Sequence, residues 1–290
     1  MLQKLQDDVL DQYKISLYVY RIDLIHPQVS GNKWYKLKYN FLEAKKQRQR
    51  KLLTFGGAYS NHIYATAAAG KMQGIETIGV IRGEEHLPLN PTLQFAVDCG
   101  MHLHYMDRTT YREKKSPEVL KTLEQTFGSF YLVPEGGSNA LAVKGCAEIL
   151  PEVEQKFDVV TTACGTGGTL AGLVAHLPDS QQVLGFPTLK GGGFLYNDIE
   201  QLLNNYYATY SISRENTQER YRLVTDYHFG GYAKKKPELL SFMEWFTNLH
   251  QIPLEWIYTG KMFYGLYDLI KKNYFSPHST ILALHTGGIR

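Results

Sequence analysis

The sequence predicts an α/β fold whose strands pair mostly in parallel. Two observations carry that reading. Short apolar, β-branched runs recur along the 290 residues, and the segments between them are long enough for a helix. Antiparallel hairpins need only short turns, so helix-sized connections favour crossovers. Neither an internal repeat nor a low-complexity linker is visible, so any second domain shares the chain discontinuously.

The elements follow in order. Trp34, Leu37, Phe41 and Leu42 fall at helical spacing, and Ser30 or Asn32 is placed to cap that helix. Leu52–Phe55 reads as a strand running into Gly56-Gly57, and Ile63–Met72 as an alanine-rich helix. Thr77–Ile81 and His102–Tyr105 read as strands on either side of a helix at Thr92–Cys99. Asp158–Ala163 is an apolar strand, followed by a glycine-rich turn and a helix at Leu170–His176. Val183–Phe186 and Thr280–Leu284 complete the strands, while the polar, tyrosine-rich stretch 204–222 gives no clear pattern.

Composition narrows the class. Hydrophobic content of 43% and charged content of 20% suit an ordered globular chain. No apolar run is long enough to span a bilayer, and the opening residues lack the apolar stretch of a signal peptide. Three distant cysteines without a CxxC pair argue against a disulfide framework or structural zinc, and suggest a reducing, cytoplasmic setting. A net charge of +3 does not point to nucleic acid, and the basic run 45–51 reads as a solvated helix end.

Four constellations carry chemistry. Ser30-Gly31-Asn32-Lys33 puts a lysine in the first turn of a helix, where the dipole disfavours a cation. That effect is about 0.3–1 kcal/mol, too small to neutralise an amine with a pKa of about 10.4. Burial or conversion to an imine must supply the remainder, and an exposed lysine in a poor position is the plain alternative. In Gly56-Gly57-Ala58-Tyr59-Ser60-Asn61-His62 a strand turns into a helix, leaving free N–H groups and a hydroxyl suited to a carboxylate. An ordinary N-cap fits the same residues. Cys164-Gly165-Thr166-Gly167-Gly168-Thr169 follows a strand and opens a helix, a pattern suited to a phosphate monoester. It is neither a Walker loop nor GxGxxG, because Leu170 fills the last glycine slot, and this undercuts a nucleotide-dependent oxidoreductase. Tyr258-Thr259-Gly260-Lys261 and His285-Thr286-Gly287-Gly288 place hydroxyls beside glycine near the end of the chain.

Together SGNKWYKLKYN, FGGAYSNH, PEGGSNALAVKG, ACGTGGTLAG, IYTGK and LHTGG occur in an order that resembles one family. It is the 1-aminocyclopropane-1-carboxylate deaminase and D-cysteine desulfhydrase family of fold type II (tryptophan-synthase-β-like) pyridoxal phosphate enzymes. The likeness runs from about Ile22 to the end of the chain. It implies two three-layer αβα domains with twisted, mostly parallel sheets and the cofactor in the cleft between them. The expected division is 1–40 with 136–290 as the larger, cofactor-anchoring domain and 41–135 as the smaller.

The resemblance also assigns roles. Lys33 would carry pyridoxal 5'-phosphate as a Schiff base and move the substrate's α-proton, and Lys36 would contact the phosphate. Gly165, Thr166, Gly167, Gly168 and Thr169 would hold that phosphate. Asn61 would bond the cofactor's phenolic oxygen, and Ser60, Asn61 and His62 would receive the substrate carboxylate. Tyr258 and Tyr232 match active-site tyrosines, and Thr259 would face the pyridine nitrogen.

Ring-opening deaminases are expected to carry glutamate at the position of Thr259 and glutamine at that of His62. A threonine cannot supply the charge that keeps a ring nitrogen protonated. Both residues therefore point toward β-elimination of the D-cysteine type, with a small amino acid as substrate and a homodimer as the implied assembly. Ring opening, racemisation and a cofactor-binding protein without turnover are the alternatives. The chain is shorter than most family members, and Tyr207–Arg222 and Phe229 have no familiar counterpart.

Overall fold

The computed structural model describes residues 1–150, 156–178, 180–213 and 218–289. Among the described residues, ten strands lie in two sheets. In chain order they are β1 (Leu2–Lys4), β2 (Ser16–Tyr20), β3 (Lys51–Gly56), β4 (Glu76–Arg82), β5 (His102–Met106), β6 (Tyr131–Val133), β7 (Val159–Cys164), β8 (Gln182–Pro187), β9 (Tyr221–Leu223) and β10 (Thr280–Leu284). The larger sheet runs β1-β2-β10-β7-β8-β9 and is parallel except for the β1–β2 edge. The smaller runs β5-β4-β3-β6 and is parallel throughout.

The helices are α1 (Asp8–Tyr13), α2 (Asn32–Lys46), α3 (Asn61–Gln73), α4 (Pro91–Asp98), α5 (Arg108–Arg112), α6 (Pro117–Phe127), α7 (Ala140–Ala147), α8 (Gly168–His176), α9 (Leu195–Tyr210), α10 (Pro237–His250) and α11 (Thr259–Lys271). They cover both faces of each sheet. Alternate residues of a strand point to opposite faces. Val160 and Leu282 thus pack with α7, α8 and α9, while Val159 and Ile281 pack with α1, α10 and α11. On the smaller sheet Leu52 meets α2 and α3, and Leu53 meets Tyr111 and Leu123 of α5 and α6. The expected division after residue 40 falls inside α2, whose Leu37, Phe41 and Ala44 form one core with Leu52 and Ala65. The stretch that gave no pattern holds the end of α9 and β9, with 214–217 outside the described residues. Among the described residues, no helix is long and apolar enough to cross a membrane, and no group of three or more metal-ligating side chains is present.

One expectation needs correcting. Neither Ser30 nor Asn32 caps α2: the N-cap is Gly31, without a side-chain bond. Both side chains have tertiary partners instead. Ser30 Oγ donates to the Asp23 carbonyl at 2.9 Å, and Asn32 Nδ2 donates to Thr169 Oγ1 at 2.8 Å. Gly31 has φ +64° and presses on the Thr286 backbone, where a Cβ would lie 1.9 Å from the carbonyl oxygen. Two segments some 250 residues apart in sequence are thereby locked together.

A buried ion cluster supports this junction. Arg21 grips Asp23 with two 2.8 Å bonds, and His285 Nδ1 lies 3.2 Å from Asp23 Oδ1. His285 Nε2 donates to the Pro253 carbonyl at 2.8 Å. Burial alone would raise the Asp23 carboxyl, but His285 and Arg21 hold it down to about 2 from its ordinary 3.8. A depressed carboxyl stabilises the fold above its unfolded pKa and loses that contribution as pH falls through its folded one. Asp23→Asn should therefore cost about 2 kcal/mol at neutral pH. Urea midpoints of variant and parent should converge between about pH 4 and pH 2. A pH-independent gap would show that the charge of Asp23 is not its contribution.

Candidate active site

The strands of both sheets deliver their C-terminal ends to one cavity of about 810 Å³. Such crevices are where open parallel sheets bind ligands. The turn after β3 brings Ser60 and Asn61, and the turn after β6 brings Glu135, Gly136 and Ser138. The loop after β7 brings Gly165 to Thr169, and the segment after β10 brings Thr286, Gly287 and Gly288. Lys33 and Lys36 reach it from the first turns of α2.

The two amines share one acceptor. Lys33 Nζ donates to the Gly136 carbonyl at 3.3 Å and Lys36 Nζ to the same oxygen at 2.9 Å. Lys36 also donates to Ser138 Oγ at 2.7 Å and lies 3.4 Å from Thr166 Oγ1. Burial, then the charge of Lys36, holds the Lys33 amine well below its ordinary value. Burial brings Lys36 down to about 8. Burial and the neighbouring Lys36 thus favour the neutral, nucleophilic form of the Lys33 amine.

The glycine loop forms a cradle. Gly167 caps α8, so the N–H groups of its first turn have no helical acceptor. A Cβ on Gly168 would lie 2.7 Å from Ser138 Oγ and 2.9 Å from Lys36 Nζ, so only glycine admits that lysine so close to the loop. Ser138 Oγ and Thr166 Oγ1 meet at 2.6 Å. Open amides, a helix N-terminus, two hydroxyls and an ammonium suit a phosphate monoester. The neutral Lys33 amine nearby suits its aldehyde. The residues fit pyridoxal phosphate.

Ser60 is the N-cap of α3, accepting from His62 N at 3.2 Å and Ile63 N at 3.3 Å. Asn61 lines the cavity, and a Cβ on Gly288 would lie 2.7 Å from its Nδ2. His62 is buried. Thr54 Oγ1 donates to the Val133 carbonyl at 2.8 Å, so His62 Nε2 is the donor in its 2.7 Å bond to that hydroxyl. Burial and the two lysines hold the imidazole well below its usual range. It is neutral at physiological pH.

Tyr258 and Tyr232 both line the cavity, with ring centroids 6.1 Å apart in an edge-to-face arrangement. Burial, with Tyr232 and Glu255 nearby, holds the Tyr258 phenol well above its ordinary value. Thr259 is fully buried, and its Oγ1 accepts from the backbone N–H of Glu255 at 3.1 Å.

Glu255 stands in no motif of the sequence, yet it organises the turn before α11. Its carboxylate accepts from the N–H groups of Ile257, Tyr258 and Thr259 at 2.6–2.7 Å, which fixes the backbone of Tyr258. The available signal was an acidic residue just ahead of a helix start. Ser138 and Gly136 lay within a quoted motif without a role, because nothing local shows that their partners are Lys33 and Lys36.

The coupling between the amines is testable with pyridoxal, which has no phosphate for Lys36 to hold. Covalent attachment to the apo-protein, followed by absorbance, should proceed at neutral pH. Lys36→Met removes a like charge, so the pH midpoint of attachment should move upward. An unmoved or lowered midpoint would contradict the coupling.

Comparison with known proteins agrees with this geometry. The family model of the pyridoxal-phosphate dependent enzymes matches residues 9–287. A Pyrococcus horikoshii protein named "Putative 1-aminocyclopropane-1-carboxylate deaminase" is 30% identical over 280 residues, covering 94% of this chain and 84% of its own length. The bifunctional D-cysteine desulfhydrase/1-aminocyclopropane-1-carboxylate deaminase of Arabidopsis thaliana is 28% identical over 300 residues, covering 94% of this chain and 72% of its own. The crystal structure of an ACC deaminase homologue superposes with a TM-score of 0.88 at 28% identity, over 100% of this chain and 89% of its own. A hydrogen sulfide-producing enzyme from Fusobacterium nucleatum, at 16% identity and a TM-score of 0.70 over 99% of this chain and 94% of its own, shares the fold. The chain belongs to the pyridoxal-phosphate-dependent enzymes of fold type II, in the family of 1-aminocyclopropane-1-carboxylate deaminases and D-cysteine desulfhydrases, and is a lyase or deaminase of that type.

Proposed function

We propose that the enzyme eliminates the β-substituent of a small amino acid in the manner of a D-cysteine desulfhydrase. From D-cysteine and water the products are pyruvate, ammonia and sulfide. The observation that carries this reading is the residue after Tyr258. Thr259 brings no carboxylate, and its hydroxyl is engaged by the Glu255 backbone. Ring opening asks for a strong electron sink, whereas loss of a sulfur leaving group asks for less.

Pyridoxal phosphate, when bound, supplies the sink that makes the substrate's α-hydrogen acidic. The remaining work falls to side chains. Lys36, Thr166 and Thr169 with the loop amides would hold the cofactor's phosphate, and Lys33 would be the amine that bears its aldehyde. The N-terminus of α3, with Ser60 and Asn61, receives the α-carboxylate. The Lys33 amine, whose neutral form burial and Lys36 favour, would take the α-proton. Tyr258 keeps its phenolic proton at physiological pH, because its pKa is held up. It donates that proton to the departing sulfur as the Cβ–S bond breaks. Tyr232 packs against it and limits its freedom.

The test is a substrate panel of D-cysteine, L-cysteine, D-serine and 1-aminocyclopropane-1-carboxylate, with sulfide, ammonia and 2-oxo acid all measured. Sulfide and pyruvate from D-cysteine, with no appreciable 2-oxobutanoate from the cyclopropane acid, is the expected result. Rapid formation of 2-oxobutanoate would overturn the reading in favour of ring opening, the activity named for the Pyrococcus horikoshii relative.

The proton donor makes a separate prediction. Tyr258→Phe should lower kcat for D-cysteine by about a hundredfold or more while leaving cofactor affinity nearly unchanged. A fall in cofactor affinity without loss of kcat would assign Tyr258 to cofactor binding.

A further inference from the structure

The wall of the cavity built by the smaller sheet carries cations that the reading above does not use. Arg82, Lys114 and Lys115 all line it. The phosphate has the α8 N-terminus and Lys36, and the α-carboxylate has the α3 N-terminus. The carboxylate lining this wall is Glu135, and it is already engaged. Glu135 accepts from Tyr111 OH at 3.0 Å and pairs with Lys114 at 3.2 Å. The other carboxylate lining the cavity, Asp198, precedes Ile199, which packs at Gly167 on the opposite wall.

Lys115 and Arg82 are the cations left over, and Arg82, though exposed, is the one set at a strand end. It ends β4, beside the turn that leads from β3 to Ser60, and Ile81 pairs with Gly56 in that sheet. A Cβ on Gly57 would lie in ordinary contact, 3.6 Å from its Nη2, which places the guanidinium beside that turn. Its brace is the buried ring of Tyr111, whose centroid is 5.9 Å from the guanidinium carbon, and Lys114 lies 4.7 Å from the same ring. No carboxylate among the described residues stands within ion-pair distance of Arg82. Glu84 and Glu85, next in sequence, are exposed and do not line the cavity. A planar guanidinium held over a binding cavity, adjacent to the carboxylate-receiving turn, is suited to fork onto a second anionic group.

We infer that Arg82 is a specificity-determining residue that selects amino acids carrying a second negative charge on the β-substituent, such as a carboxylate, sulfonate or phosphate. This inference rests on the amino-acid site proposed above. It separates substrates that the chemistry at Lys33 alone would treat alike, and it makes D-cysteine, whose thiol is mostly uncharged at neutral pH, a substrate turned over without the Arg82 contact.

Binding to the cofactor-loaded enzyme, read from the absorbance of the bound cofactor, tests it without turnover. The probes are racemic alanine, aspartate and 2-amino-3-phosphonopropanoate, which share the α-amino acid and differ in the distal charge. The phosphono acid should bind at least about tenfold more tightly than alanine, and added salt should narrow the difference. Arg82→Gln should remove most of that advantage and leave the alanine constant unchanged, which also verifies that the variant is folded. Equal binding of the three probes by the parent enzyme would overturn the inference. Equal weakening of all three in Arg82→Gln would overturn it too, and would assign Arg82 to the shared α-carboxylate. A parent enzyme whose spectrum responds to none of the three would overturn the amino-acid site itself.

Discussion

Two lysine amines converge on the carbonyl oxygen of Gly136, and they cannot both stay cationic there at low cost. Like charges a few ångströms apart repel by several kcal/mol, on the order expected for a partly desolvated pair. Burial adds to the pressure on each. The structure resolves it unequally. Lys36 keeps hydroxyl and carbonyl acceptors and a position beside the glycine loop, where a dianionic phosphate would favour its charge. Lys33 has the weaker contact, and burial with the charge of Lys36 pushes its amine toward the neutral, reactive form. An enzyme that forms a covalent bond to an aldehyde needs that asymmetry, and here it comes from helix geometry: two lysines three residues apart on α2 point to the same side.

The rest of the architecture holds this pair against its partners. Gly136 sits in a turn after β6 with φ +67°, so its carbonyl faces α2 from the smaller sheet. The glycine loop approaches from β7 of the larger sheet. Contact between Gly31 and the Thr286 backbone fixes where α2 starts, and the Arg21–Asp23–His285 cluster fixes that contact. Glu255 does the same for Tyr258 by gathering three backbone N–H groups at the start of α11. Each active group is thus held by a polar or steric constraint that originates outside the cavity.

The strands that the sequence displayed plainly, β3, β4, β7, β8 and β10, are those buried on both faces, because a continuous apolar run needs helices on either side. The shortest edge strands were not legible, although the five-residue edge strand β5 was, and β2 inside the larger sheet went unread. β1, β6 and β9 have three residues each, too few for any periodicity to emerge. The glycine loop and the lysine were legible because their chemistry is local: a strand end, a run of glycines, a helix start. Side-chain direction at the helix starts was not. Ser30 and Asn32 have the composition of caps, yet partners 7 and 137 residues away take their polar atoms. Thr259 sits beside the expected tyrosine, but nothing local shows that its hydroxyl accepts from an N–H group four residues earlier.

The central claim is that Lys33, not its neighbour, bears the cofactor. Reducing the cofactor-loaded protein with borohydride, digesting it and mapping the phosphopyridoxyl group by mass spectrometry tests this most directly. The group should be found on the peptide containing Lys33 and on that residue alone. Label on Lys36 or Lys261, or no stable label on any lysine, would contradict the account.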